Sequence, residues 1–173
     1  MIYEPEEDSY LLEKYVKKFA KGKVLDLGSG SGIQSEAALE KTKNVLAVDI
    51  DKECVNYLKK KGIKSKYSDL FSNIEEKFDL IIFNPPYLPN EKLEDEESKK
   101  ITTGGKDGYE ILERFFSQVN KHLNKNGKIL IVFSSLTKKS KVDKIIEENN
   151  FKFKILEEQK MFFEKLYCYL IEK

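Results

Sequence analysis

The chain has 173 residues, with 31 lysines and arginines against 30 aspartates and glutamates and a formal charge of +1. That length suits one domain over residues 1–173 with a well-filled core, and the charge balance supplies no global basic field to draw the protein onto a nucleic-acid backbone. The longest apolar runs, LIIF and ILIVF, fall far short of the ~20 residues that span a bilayer, and the acidic opening MIYEPEEDSY is unlike a secretion signal, so a cytoplasmic protein without membrane association is expected. In chain order, Asp8 is expected to cap a helix over SYLLEKYVKKFA, with Leu11, Leu12, Tyr15, Val16 and Phe19 on one face, inside an N-terminal segment of residues 1–22. KVLDLG reads as a buried strand and its glycine-rich exit opens a helix over Ile33 to Lys41. NVLAVDI is a second strand, followed by a helix over DKECVNYLKKKG that stops at Gly62. An extended piece over Ile63 to Ser68 comes next, and then FDLIIF, continuously apolar as a parallel strand covered on both faces should be.

Residues 88–107 are polar and charged and read as a long loop, of the kind that is functional or disordered when it interrupts a domain. Helix resumes over YEILERFFSQVNKHL, NKNG turns the chain into the strand KILIVFSS, and a helix over Ser140 to Glu148 precedes FKFKILEEQ and FFEKLYCYLIEK. Alternation in these last two segments predicts a closing antiparallel hairpin. Strands alternating with helices predict an α/β fold with a mostly parallel, doubly wound sheet. Cys54 and Cys168 are too few for a disulfide framework and have no CxxC or histidine-rich neighbourhood, so they read as reduced structural thiols and no metal site is expected. The single histidine, His122, falls near a helix end, where an imidazole faces solvent and the helix dipole.

Chemistry concentrates in two places. In LDLGSGSG, Gly28, Gly30 and Gly32 lie between a strand and a helix, where small residues let the backbone turn sharply and touch a ligand. Ile33 stands where a dinucleotide fingerprint would put its third glycine, which argues against NAD. Asp26 and Asp49 end neighbouring strands and flank the crevice where such sheets bind ligands; Asp49 is suited to accept from ribose hydroxyls or to cap the following helix. The second place is NPPY, Asn84 to Tyr87, at the end of a central strand. It reads either as a simple strand-ending turn or as a stiff rim of acceptors. In the second reading the Asn84 side-chain oxygen and the Pro85 carbonyl accept the two N–H bonds of a planar –NH2 group. Pro85 and Pro86 hold φ fixed, and Tyr87 offers a ring to a flat target.

The D-x-G-x-G-x-G loop with Asp49 and the Asp69-Leu70 pair resembles the cofactor site of class I S-adenosylmethionine methyltransferases. The resemblance implies a Rossmann-like, seven-stranded sheet with helices on both faces. It also implies cofactor contacts at Asp26, Gly28, Gly30, Gly32, Asp49, Ile50, Asp69, Leu70 and Asn84. NPPY is similar to the signature of amino-methyltransferases acting on adenine, guanine or glutamine, implying a catalytic role for Asn84, Pro85, Pro86 and Tyr87. YEPEEDSYLL from Tyr3 and GGKDGYEILERFF from Gly104 resemble the short eukaryotic and archaeal branch of the HemK-like glutamine methyltransferases. That branch implies methylation of the glutamine in the Gly-Gly-Gln loop of a class I translation release factor. It further implies cofactor contact by Ser9 and a small zinc-binding activator subunit forming a heterodimer. Thr103 stands where that branch often carries tryptophan. The acidic run Glu94, Asp95, Glu96 and Glu97 reads either as a surface for a basic patch on the release factor or as a solvating tether. Nucleic-acid amino-methylation with the same NPPY chemistry, methylation of other protein side chains, and a cofactor-binding scaffold without chemistry remain open at this point; no basic stripe or appended RNA module favours the first.

Overall fold

Four strands whose central residues are mostly apolar and buried make the centre of the sheet: β1 (Val24–Leu27), β2 (Val45–Asp49), β4 (Phe78–Phe83) and β5 (Leu123–Ser134), the last with a polar, partly exposed start. The computed structural model describes residues 4–87 and 106–173. Tyr3, the acidic run Glu94 to Glu97, Thr103 and Gly104 lie outside the described residues. Short β3 (Ser65–Tyr67) flanks β2, and β6 (Lys152–Lys160) and β7 (Lys165–Glu172) close the other side. The order is β3-β2-β1-β4-β5-β7-β6. The first five strands are parallel, and β7 runs antiparallel to both neighbours. The expected alternation of strands and helices is therefore present, including the antiparallel closing hairpin.

Period two within the apolar strands sorts their side chains onto two helical layers. Leu25, Leu27, Ile81, Phe83, Ile129, Ile131 and Phe133 face α4 (Glu110–Val119) and α5 (Lys139–Glu148). Val24, Val45, Leu80, Ile82, Leu130 and Val132 face α1 (Glu7–Phe19) and α2 (Ile33–Leu39). Ala47 packs on Leu58 of α3 (Lys52–Lys60) on that same side. Asp26 and Asp49 share the parity of Val24 and Ala47, so both point toward α1, α2 and α3 and away from the aromatic layer. Among the described residues no helix is long and apolar enough to cross a membrane.

Local differences from expectation have physical causes. Asp8 lies inside the first turn of α1 rather than at its cap, with its carboxylate engaged by Asn84 and Tyr87, and Glu6 is the N-cap without a side-chain cap bond. Asp51, not Asp49, caps α3 by accepting from the Glu53 N–H at 2.7 Å. The NKNG turn is absorbed into the start of β5 as a register shift opposite Phe78 to Leu80; a Cβ on Gly127 would stand 2.9 Å from the Phe78 carbonyl. The last strand begins at Lys165, leaving Phe162 and Phe163 outside it. His122 stacks on Phe71 with ring centroids 4.6 Å apart and its Nδ1 lies 3.1 Å from the Glu76 carbonyl oxygen. The imidazole is thus part of the packing under β4.

Candidate active site

Leu27 of β1 is in register with Phe83 of β4, so the exits of the two strands, Gly28 and Asn84, leave the sheet side by side. This is where the strand order reverses, and chains departing to opposite sides open a crevice at the carboxyl edge. A cleft of about 1030 Å³ occupies it. Its walls come from the exits of β1, β2, β3 and β4, the first turn of α1, α4 and the β6–β7 turn.

The glycine loop is stitched to β2. The Gly28 and Ser29 N–H groups donate to the Val48 carbonyl at 2.9 and 3.0 Å, and the Gly30 N–H donates to Asp49 Oδ2 at 2.8 Å. Gly30 and Gly32 have φ of 48° and 87°, the left-handed region that glycine occupies without strain. Asp49 Oδ1 accepts from the Asp51 N–H at 2.8 Å. Each carboxylate oxygen keeps a lone pair after one bond, so Asp49 can still accept from two hydroxyls on the cleft side. Burial raises its carboxyl above the ordinary range, and the N–H groups of Asp51 and Gly30 offset part of that. Asp26 is more extreme. It is 1 % exposed, accepts from Ser35 Oγ of α2 at 2.6 Å, and burial pushes its carboxyl up to about 7. Neither Asp26 nor Gly32 lines the cleft; they brace the loop from behind.

At the β4 exit the Asn84 amide is oriented by Asp8. Asp8 Oδ2 accepts from Asn84 Nδ2 at 3.2 Å and from the Tyr87 hydroxyl at 3.0 Å. With its –NH2 end held, the other end of the amide, Oδ1, is a buried acceptor that no donor among the described residues reaches. A buried acceptor left unbonded costs about 1–3 kcal/mol, and such exceptions call for an explanation by function. Pro85 is buried, and Pro86 and Tyr87 are half-buried along the same rim. The Tyr87 ring packs against the core, and its carbonyl accepts from Thr137 Oγ1 at 2.9 Å.

Of the residues singled out from sequence, Ser9, Gly28, Gly30, Asp49, Ile50, Asp69, Leu70, Asn84, Pro85, Pro86 and Tyr87 all line the cleft. Ser9 is buried and its carbonyl accepts from Gln34 Nε2 at 2.8 Å. Asp69 pairs through Oδ2 with Arg114 at 2.9 Å, and Leu70 follows with φ 48°. Sequence reasoning overlooked four contributors. Gln34 and Ser29 line this cleft, and each holds a buried side-chain oxygen without a hydrogen-bond partner among the described residues. Arg114 is the only arginine among the 31 basic residues, a signal open to anyone counting. Asp8 was expected only to cap a helix, and its contacts lie 76 and 79 residues away in sequence, beyond any local pattern. Cys54 borders the cleft, but burial, helped by Asp49, pushes its thiol up to about 12, so it is no nucleophile at neutral pH.

The methyltransferase small domain model matches residues 5–163. The chain belongs to that family. It is 39% identical over 174 residues, 95% of its own length and 88% of the relative's, to a provisionally assigned protein N5-glutamine methyltransferase of Methanocaldococcus jannaschii. It is 36% identical over 124 residues to the release factor glutamine methyltransferase of Borreliella burgdorferi, covering 63% of this chain and 43% of that protein. The fold superposes on a chain of the E. cuniculi Mtq2–Trm112 complex, described as methylating the eRF1 translation termination factor. The TM-score is 0.82 at 27% identity, covering 99% of this chain and 98% of the other. This chain is accordingly a methyltransferase whose cofactor is S-adenosylmethionine. The cleft fits that molecule in size, in its glycine loop, in the free lone pairs of Asp49 and in the unpaired oxygens of Ser29 and Gln34.

Proposed function

We propose that this methyltransferase modifies the side-chain amide nitrogen of the glutamine in the Gly-Gly-Gln loop of a class I translation termination factor. The observation that carries the reading is the buried, unpaired Asn84 Oδ1 with the other end of its amide tied to Asp8. Asn84 Oδ1 and the Pro85 carbonyl accept one N–H each from a planar –NH2 group. An amide nitrogen is a weak nucleophile because its lone pair is delocalised; gripping both hydrogens fixes its plane and returns electron density to nitrogen. Asp8 keeps the acceptor aimed, and Tyr87, itself held by Asp8 and Thr137, walls the site. When bound, S-adenosylmethionine would supply an electrophilic methyl on a sulfonium whose departing form is a neutral thioether. As the N–C bond forms and the S–C bond breaks, the nitrogen becomes cationic and loses a proton to water, so no dedicated base is required.

Asp49 would hold the ribose, Asp69 and Leu70 the adenine, and Ser9 with the loop of Gly28 and Gly30 the methionine part, with Asp26, Gly32 and Ile50 framing them. Support for glutamine as the acceptor comes from the relatives named for that reaction. A heterodimer with a small zinc-binding subunit is part of the same proposal, supported by the two-chain assembly of the Mtq2 relative. The test offers radiolabelled cofactor in parallel with purified termination factor, its Gln→Ala variant, tRNA, ribosomal RNA and duplex DNA. Label is expected on the intact factor and not on the Gln→Ala variant. Label on either RNA or on DNA, with none on the factor, overturns the reading.

A further inference from the structure

Phe162 and Phe163 break two local rules at once. The Met161 N–H donates to the Glu164 carbonyl at 2.8 Å, closing the β6–β7 hairpin and leaving these two residues alone at its tip. Two-residue hairpin loops favour glycine, asparagine and aspartate, which take positive φ readily. Here both positions are phenylalanine, and neither has positive φ. They are also 92% and 88% exposed, stacked only on each other edge to face at 4.7 Å. Neither turn chemistry nor folding gains from this choice, and such local violations concentrate at functional sites.

The tip stands at the mouth of the cleft. Because β7 runs antiparallel to β5, with Ser134 opposite Leu166, the hairpin ends at the carboxyl edge of the sheet. The next residue, Glu164, lines the cleft and accepts from Ser134 Oγ. Ser135 Oγ accepts from the Lys165 N–H at 3.0 Å, and Thr137 of the same short turn holds the Tyr87 carbonyl. One three-residue turn after β5 thus bridges the NPPY rim and the hairpin base, and its middle residue, Leu136, is itself 45% exposed.

We infer that Phe162 and Phe163 form a docking surface for the protein substrate, gripping apolar side chains of the surface around the modified loop while the Asn84 site holds its amide. This rests on the proposed glutamine reading. A small acceptor would need nothing beyond the cleft. A loop of a folded protein brings its surroundings with it, and an exposed aromatic pair directly before Glu164 of the cleft wall supplies apolar contact area for them.

The experiment compares wild type, F162A/F163A and F162L/F163L, each co-purified with the small partner subunit, with purified termination factor as substrate. The alanine variant is expected to raise KM for the factor about tenfold, as expected for removing ~1.4 kcal/mol of docking. Its kcat stays within about twofold, and its cofactor Kd and melting temperature stay unchanged, since the rings touch no core residue. The leucine variant should recover most of the KM. An unchanged KM overturns the inference, as does a loss confined to kcat. So does a wild-type dimer that the alanine variant converts to monomer by light scattering, or wild-type co-sedimentation with anionic vesicles that the variant abolishes. No transfer to the factor by wild type overturns the glutamine reading and this inference together, whereas normal transfer with indifferent variants overturns this inference alone.

Discussion

Beneath α4 and α5, Phe71, Phe115, Phe116 and Phe151 meet tilted or edge to face with ring centroids 5.0–5.9 Å apart. At the carboxyl edge of the same strands, Asp8, Asp26 and Asp49 are buried together beside the half-buried Asn84, and the Asn84 oxygen has no partner. The aromatic layer is built from ring contacts among buried apolar side chains. The edge accepts desolvation of three carboxylates and leaves an acceptor unsatisfied. Stability and chemistry are thus separated along the strand axis, and the separation can be tested from both sides.

The largest effect belongs to the aromatic layer. Phe116→Ala should lower unfolding free energy by about 3–5 kcal/mol in denaturant melts, with kcat per folded molecule nearly unchanged; a parallel loss of kcat would break the comparison. Asp26 comes next. Its carboxyl is raised to about 7 in the folded chain, so between the ordinary carboxylate range and pH 7 the folded state holds a proton that the unfolded state has lost. Stability therefore falls as pH rises through this window, by up to ~4 kcal/mol, and levels off above it. Asp26→Asn should flatten that slope relative to wild type in melts at a series of pH values; two superimposable slopes would remove Asp26 as its source. Asn84→Ala should reduce kcat by about 10²–10³-fold, by analogy with one missing oxyanion-hole donor, while cofactor binding by calorimetry and the melting midpoint hold. Asp8→Asn is expected to be milder, about tenfold in kcat or ~1.4 kcal/mol, because a neutral carboxamide oxygen accepts more weakly than a carboxylate from Asn84 and Tyr87, and its –NH2 end would replace Oδ1, which accepts from the Ser9 N–H at 2.5 Å. Full activity in that variant would detach Asp8 from the aim of Asn84.

Those two regions also differed in how plainly they could be read beforehand. The layers follow from periodicity: FDLIIF and KILIVF announce strands covered on both faces, and Leu112, Phe115, Phe116 and Val119 announce the face of α4. Glycines and acids at strand ends marked the cleft, because a doubly wound sheet puts those ends together. What escaped was any contact between distant segments. Nothing local says that Asp8 reaches Asn84, that Arg114 pairs with Asp69, or that Asp49 holds the Gly30 N–H. Asp26 was read as a cofactor contact from its place in a motif, yet strand parity turns it toward Ser35 behind the loop. Alternation reads FFEKLYCYLIEK as strand from Phe162 onward, but the ladder closes at Lys160 and Lys165 and leaves Phe162 and Phe163 outside it.

The grip of Asp8 on Asn84 and Tyr87 makes competence conditional on assembly. A sheet that has formed without its leading helix would present the NPPY rim with the amide free to rotate, its –NH2 end as ready to face inward as its oxygen. Such a half-built molecule would lack the Ser9 side of the cleft as well as the aimed acceptor, so the docking of α1 acts as the last tumbler of a lock.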